Sequence, residues 1–167
     1  YRFVCKLNEN INAIYENLSE IKNFEIFYKT SIKFKDYDKN SMKEELKLNF
    51  KKILVKERKN KITLIGPHRD DLEFLVGNEN IKNFGSQGQQ RMAILAIKLS
   101  EIKIFHQYKG SNPILLLDDV FSELDKKKKN NLLHYITQDI QTIITTTDLN
   151  NISKKIRDQS RLIEIEK

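Results

Sequence analysis

Residues 114–125 read ILLLDDVFSELD. An unbroken apolar run, Ile114 to Leu117, is the pattern of a short parallel strand covered on both faces. It constrains the fold strongly, because such a strand needs helices above and below it. The run ends on two adjacent carboxylates, Asp118 and Asp119. Neighbouring acids repel, and the end of a buried strand is an unfavourable place for them. In open α/β sheets, ligands bind beyond the carboxyl ends of the strands. A divalent cation there would neutralise the pair, with one acid in the metal shell and the other orienting or deprotonating a water. The alternative is that both acids cap the following turn and helix.

The elements on either side fit an α/β sheet. Val4, Leu7, Ile11, Ile14, Tyr15, Leu18 and Ile21 recur at helical spacing. No N-cap precedes that helix, so the chain is expected to start part-way through a larger protein. Residues 23–34 read as a strand. Ser41 to Glu44 reads as a capping box opening a helix that carries Met42, Leu46, Phe50, Ile53 and Leu54. The charged stretch 56–61 is the expected internal boundary. Residues 72–76 and 80–84 flank Gly77-Asn78 as a hairpin. Ser86 and Gln89 form a second capping box, ahead of an apolar helix. Ser122 to Ile136 is expected as a helix, Thr142 to Thr146 as a strand and Leu162 to Ile165 as a last strand.

The chain has 167 residues, 39% of them hydrophobic, enough for a real core in one domain or two small ones. Its apolar runs are too short to span a membrane. The lone Cys5 falls among apolar helical positions and reads as a buried thiol, in keeping with a cytoplasmic setting. A formal charge of +7 favours polyanionic partners, although abundant Lys, Asn and Ile together also look like compositional bias. Two basic stretches stand out. Lys126–Lys129 covers every face of a helix and reads mainly as solvated surface. Lys51, Lys52, Lys56, Arg58, Lys59 and Lys61 cluster beside the boundary and are expected to contact DNA. His68-Arg69-Asp70 lacks the rest of a kinase signature, and a local Arg69 salt bridge to Asp70 or Asp71 is one reading of it. Three scattered histidines give no zinc spacing.

FGSQGQQR (residues 84–91) places Ser86, Gln87, Gly88 and Gln89 at the N-terminus of that apolar helix. Exposed N–H groups and the positive pole of the helix dipole attract phosphate there. The order SQGQQR, apolar helix, ILLLDD, SELD resembles the C-terminal half of an ABC-type ATPase head. With LIGPHRDD before it and TIITTTD after it, the stretch from about residue 62 to 148 closely resembles the RecF family of bacterial recombinational repair proteins, which has an SMC-type head with a short arm. Residues 1 to 60 agree with the family only in their helix–strand–helix pattern.

The resemblance implies an α/β fold divided into residues 1–60, part of the arm, and 61–167, the second half of the head. It implies that Asp118 holds Mg²⁺ and that Asp119, where most relatives have Glu, serves the water. Ser86, Gln87, Gly88 and Gln89 would meet ATP held by a second copy. Asp125 would be the acid of the loop at the dimer interface, and Thr147 would occupy the switch position where many ABC proteins carry His. The parent would be a DNA-dependent ATPase that dimerises on DNA around ATP and works with RecR and RecO. No GxxxxGK[ST] occurs in the sequence, so this chain alone is expected neither to bind ATP tightly nor to turn it over. The rival readings are a nucleic-acid-binding adaptor with a degenerate ATPase fold, or another SMC-like ATPase subunit.

Overall fold

The structure is a computed structural model that describes residues 1–136, 140–149, 152 and 154–165, with only the backbone of 122, 123, 155 and 156. It is a mixed α/β assembly with a three-stranded antiparallel sheet and a two-stranded parallel one. The apolar stripe of the first segment forms α1 (Arg2–Ser19), with Val4, Leu7, Ile11, Ile14, Tyr15 and Leu18 buried. That face packs against β1 (Phe24–Lys29) and against α4 (Gln87–Lys109). Cys5 is exposed, contrary to the expectation of a buried thiol. It lies one residue past Val4, about 100° round the helix and off the buried stripe.

β1 pairs antiparallel with β2 (Asp71–Val76), from Phe24↔Val76 to Lys29↔Asp71. Its other edge is closed by α1. The Asn8 side chain accepts from the Ile26 N–H at 3.0 Å and donates to the Ile26 carbonyl at 2.8 Å. Asn12 accepts from the Phe24 N–H at 3.1 Å. Two asparagines on a helix thus satisfy an edge that would otherwise invite another strand. β2 turns at Gly77, with φ 61°, into β3 (Glu79–Asn80), which is shorter than expected. Asn80 accepts from the Lys82 N–H and caps the one-turn α3 (Ile81–Phe84), so the second half of the expected strand is helical.

Between β1 and β2 the chain makes a long excursion. The strand expected over 23–34 ends at Lys29. α2 (Lys39–Asn60) starts three residues before the box expected at Ser41, because the Asp38 carboxylate accepts from the N–H groups of Asn40 and Ser41 first. Glu44 pairs instead with Lys47 at 2.8 Å. The helix runs on through the charged stretch expected as a connector, and none of its residues is buried. The β1–β2 ladder therefore joins segments on either side of residue 60.

The foot of the excursion is clamped. Asp70 accepts from the Tyr28 hydroxyl and from the Ser31 N–H and hydroxyl, at 2.7 and 2.9 Å for Ser31. The Gly66 N–H donates to the Ser31 hydroxyl at 3.0 Å. Burial pushes the Asp70 carboxyl up, but the hydrogen bonds from Tyr28 and Ser31 outweigh it and hold it below the usual range. The same Asp70 bond, with burial, pushes the Tyr28 phenol up to about 12. Arg69 donates to the Thr63 carbonyl at 2.8 Å, and Asp71 lies 3.7 Å from Lys82, so in place of the local Arg69 salt bridge that was one reading of the sequence each makes another contact.

α4 carries Met92, Ala93, Leu95, Ala96, Leu99, Ile102 and Ile104 into the core and stops at Gly110, φ 70°. β4 (Leu115–Leu117) and β5 (Thr142–Ile144) follow, parallel and in register, with α5 (Lys126–Ile136) between them. β4 is covered on one face only. Leu115 and Leu117 are buried, whereas Ile114, Leu116 and Ile143 are 58%, 69% and 55% exposed. The expectation of a strand covered on both faces is thus half met, since a two-stranded sheet has helices on one side here. The helix expected from Ser122 begins at Lys126, after a 3₁₀ turn over Val120–Glu123. Residues 162–165 form no strand, and Leu162, Ile163 and Ile165 face solvent.

Candidate functional site

The candidate residues gather in two groups. The first sits at the carboxyl end of β4. The parallel register Leu117↔Ile144 continues by one position to set Thr145 beside Asp118. The Thr145 N–H donates to the Leu117 carbonyl at 3.0 Å and fixes the threonine there. Its hydroxyl donates to Asp118 Oδ1 and accepts from the Asp119 N–H at 3.1 Å. One side chain therefore holds both aspartates at the strand end. Asp119 takes φ 46°, a left-handed conformation that Asp tolerates better than most residues. Both carboxylates face solvent. Thr147 stands two residues farther on, exposed in the bend after β5.

Sequence reasoning singled out Thr147 and passed over Thr145. The signal was present: counting both strands from their first residues pairs Thr145 with Asp118, but only once the register is known.

The second group is built on the N-terminus of α4. Ser86 accepts from the Gln89 N–H at 3.2 Å, and Gln89 returns the contact by accepting from the Ser86 N–H at 2.8 Å, so the expected capping box is formed. Gln90 donates to the Ile81 and Gly85 carbonyls and locks the turn from behind. Gly85 is required by this packing, since a β-carbon there would stand 2.5 Å from the Ile81 carbonyl oxygen. Gly88 is different. A β-carbon would meet only Lys128 Nζ at 3.7 Å and Ser86 Oγ at 4.0 Å, ordinary contacts. Among the described residues nothing demands glycine at 88, and Ser86 and Gln87 beside it are exposed.

Asp125 joins this second group through α5. It accepts from the Lys128 N–H at 2.9 Å and pairs with Lys128 Nζ at 2.8 Å. Those Lys128 hydrogen bonds hold its carboxyl below the usual range. The lysine run, read from sequence as covering every face of a helix and mainly solvated, is solvated only in part. Lys127 pairs with Glu20 at 2.7 Å, Lys128 reaches the α4 turn, and Lys129 is buried.

No family model matches the chain. Individual relatives do. The DNA replication and repair protein RecF of an Exiguobacterium species is 39% identical over 99% of the chain. The chain is RecF-like. RecF of Lactobacillus johnsonii is 40% identical over 98% of it, and RecF of Clostridium botulinum 42% over 98%. Two solved structures of the recombination mediator protein RecF in the RecFOR pathway superpose on it. The one with ATPrS has a TM-score of 0.75 at 34% identity, covering 91% of this chain and 41% of that one. The one with ATP has a TM-score of 0.69, covering 89% and 40%. The chain spans about 45% of the length of the curated RecF relatives it matches.

Proposed function

We propose that the chain is the C-terminal part of a RecF-type ATPase that closes on DNA as an ATP-dependent dimer. The observation that carries this reading is the constellation at the end of β4, where Thr145 presents two exposed carboxylates beyond a parallel strand. Hard oxygen donors so placed fit Mg²⁺, which commonly takes one or two carboxylates and fills its shell with water and phosphate oxygens. Asp118 would hold the ion, which would neutralise charge developing on the phosphates. Asp119 would accept a proton from, or orient, the attacking water. Its side chain is one methylene shorter than Glu, which fits slow turnover.

The α4 turn would act on a nucleotide held by the other copy. Its N–H groups and dipole favour an anion, and the space above Gly88 admits one close to the backbone. Asp125 would lie at the interface between copies, and Thr147 near the terminal phosphate. In this reading β1, β2, α1 and α4 build the head together, and the excursion carrying α2 is the arm. Its basic residues would contact DNA, with RecR and RecO as partners of the parent and the cytoplasm as its location. Among the described residues no helix is long and apolar enough to cross a membrane.

The test is ATP turnover by the full-length parent with and without DNA, wild type against Asp119→Asn. The reading expects DNA-stimulated turnover that collapses in the variant, and none from the 167-residue chain alone. Undiminished turnover in Asp119→Asn would sink it.

A further inference from the structure

Thr145 hydrogen-bonds both aspartates at the end of β4, and the direction of the two bonds is forced. The Asp119 contact is a backbone N–H, which can only donate, so the Thr145 hydroxyl accepts it at 3.1 Å. A hydroxyl has one proton, and that proton is left for Asp118 Oδ1. Asp118 must then accept, as an ionised carboxylate does. Its second oxygen, Oδ2, accepts from none of the described residues and stays open at the exposed strand end. The threonine is itself anchored, because its N–H donates to the Leu117 carbonyl at 3.0 Å, one step beyond the last rung of the β4–β5 ladder. The residue whose N–H it accepts is the one that turns the chain away from β4, at φ 46°.

The fold does not require this hydroxyl. Thr145, Asp118 and Asp119 all face solvent, where a hydrogen bond replaces one to water and adds little to stability. A β-branched residue suits the end of a strand, but valine would serve there as well as threonine. What the hydroxyl adds is control of the two acids. We infer that Thr145 is a positioning residue of this site. Its hydroxyl holds Asp118 so that Oδ2 is left for a divalent cation, and it fixes the backbone from which Asp119 reaches the water. The inference rests on the ATPase reading above and adds a residue to it. It also joins the two acids: a change at one threonine disturbs the metal ligand and its neighbour together. Removing the outer hydrogen-bond partner of a metal ligand typically costs about 10–100-fold in metal affinity or activity.

The experiment compares full-length wild type, Thr145→Val and Thr145→Ser. Valine keeps the branched shape and removes the hydroxyl, whereas serine keeps the hydroxyl and loses the methyl. Three quantities are read: Mn²⁺ affinity at saturating ATP by electron paramagnetic resonance, the Mg²⁺ concentration that half-saturates turnover, and melting temperature without metal or nucleotide. Thr145→Val should bind Mn²⁺ about tenfold or more weakly and need correspondingly more Mg²⁺, with a melting temperature close to that of wild type. Thr145→Ser should recover most of both. Wild-type Mn²⁺ affinity in Thr145→Val would overturn the inference. So would a serine variant as weak as the valine one, since shape and not the hydroxyl would then matter. Lower turnover with a lower melting temperature but an unchanged metal dependence would overturn it too, as the mark of a purely structural residue. Failure of the ATPase reading looks different: wild type itself would then show no metal-dependent turnover, and both would fall together.

Discussion

Gly88→Ala separates what the fold needs from what the site needs. Residue 88 is the second residue of α4, and glycine there is less favourable than alanine by up to about 1 kcal/mol. The added methyl meets the end of the flexible Lys128 side chain at 3.7 Å and Ser86 Oγ at 4.0 Å, so no strain offsets the gain. The isolated chain should become more stable by about 0.5–1 kcal/mol. For a domain of this size that raises the melting temperature by about 1–4 °C. In the proposed function the same methyl would stand where a phosphate approaches the backbone. ATP-dependent dimerisation of the full-length protein should therefore fall sharply while nucleotide binding by the monomer holds. Calorimetry of the chain and sedimentation of the parent in ATP read the two effects. A less stable chain would refute the packing argument. A more stable chain whose parent still dimerises normally would refute the approach of phosphate to Gly88.

Gly85→Ala should do the reverse, since its methyl would fall 2.5 Å from the Ile81 carbonyl and 2.9 Å from the Ile81 β-carbon. Backbone must shift, and a loss of roughly 1–3 kcal/mol is expected in urea unfolding. The clamp at Asp70 predicts two pH limits. The Asp70 carboxyl titrates below its unfolded value, so its contribution is present above about pH 4 and is lost as pH falls through the folded pKa. The Tyr28 phenol is raised to about 12, so its contribution is complete below its unfolded value near 10 and is lost as pH rises through 12. Ultraviolet titration should show Tyr28 titrating late, as Tyr1 and Tyr15 also do, and Tyr28 alone should move back toward 10 in Asp70→Asn.

The helices α1 and α4 and the box at Ser86–Gln89 were legible because periodicity and capping are local. So was the acid pair, announced by the apolar run before it. The departures arose where the outcome depends on competition or on distant partners. Asp38 and Ser41 both offer a helix start, and the earlier one won. Leu116 reads as core from composition, yet burial requires a second layer over that face. Thr145 is one threonine of three until the β4–β5 register selects it. That the four lysines point to every side of α5 was legible, but which neighbours they meet was not.

The Asp70 clamp has a further consequence, for evolution and engineering. The chain leaves the sheet at Lys29 and re-enters it at Asp71, its ladder partner. The stretch between is held at its root by this clamp and, on the way to α2, by Tyr37 stacked on Tyr1. α2, 22 residues and about 33 Å long, contributes no buried residue. Its length is therefore a free parameter: whole turns can be spliced in or out, or a foreign hairpin grafted, without reopening the core. The length of this excursion can change independently of the paired aspartates at the end of β4.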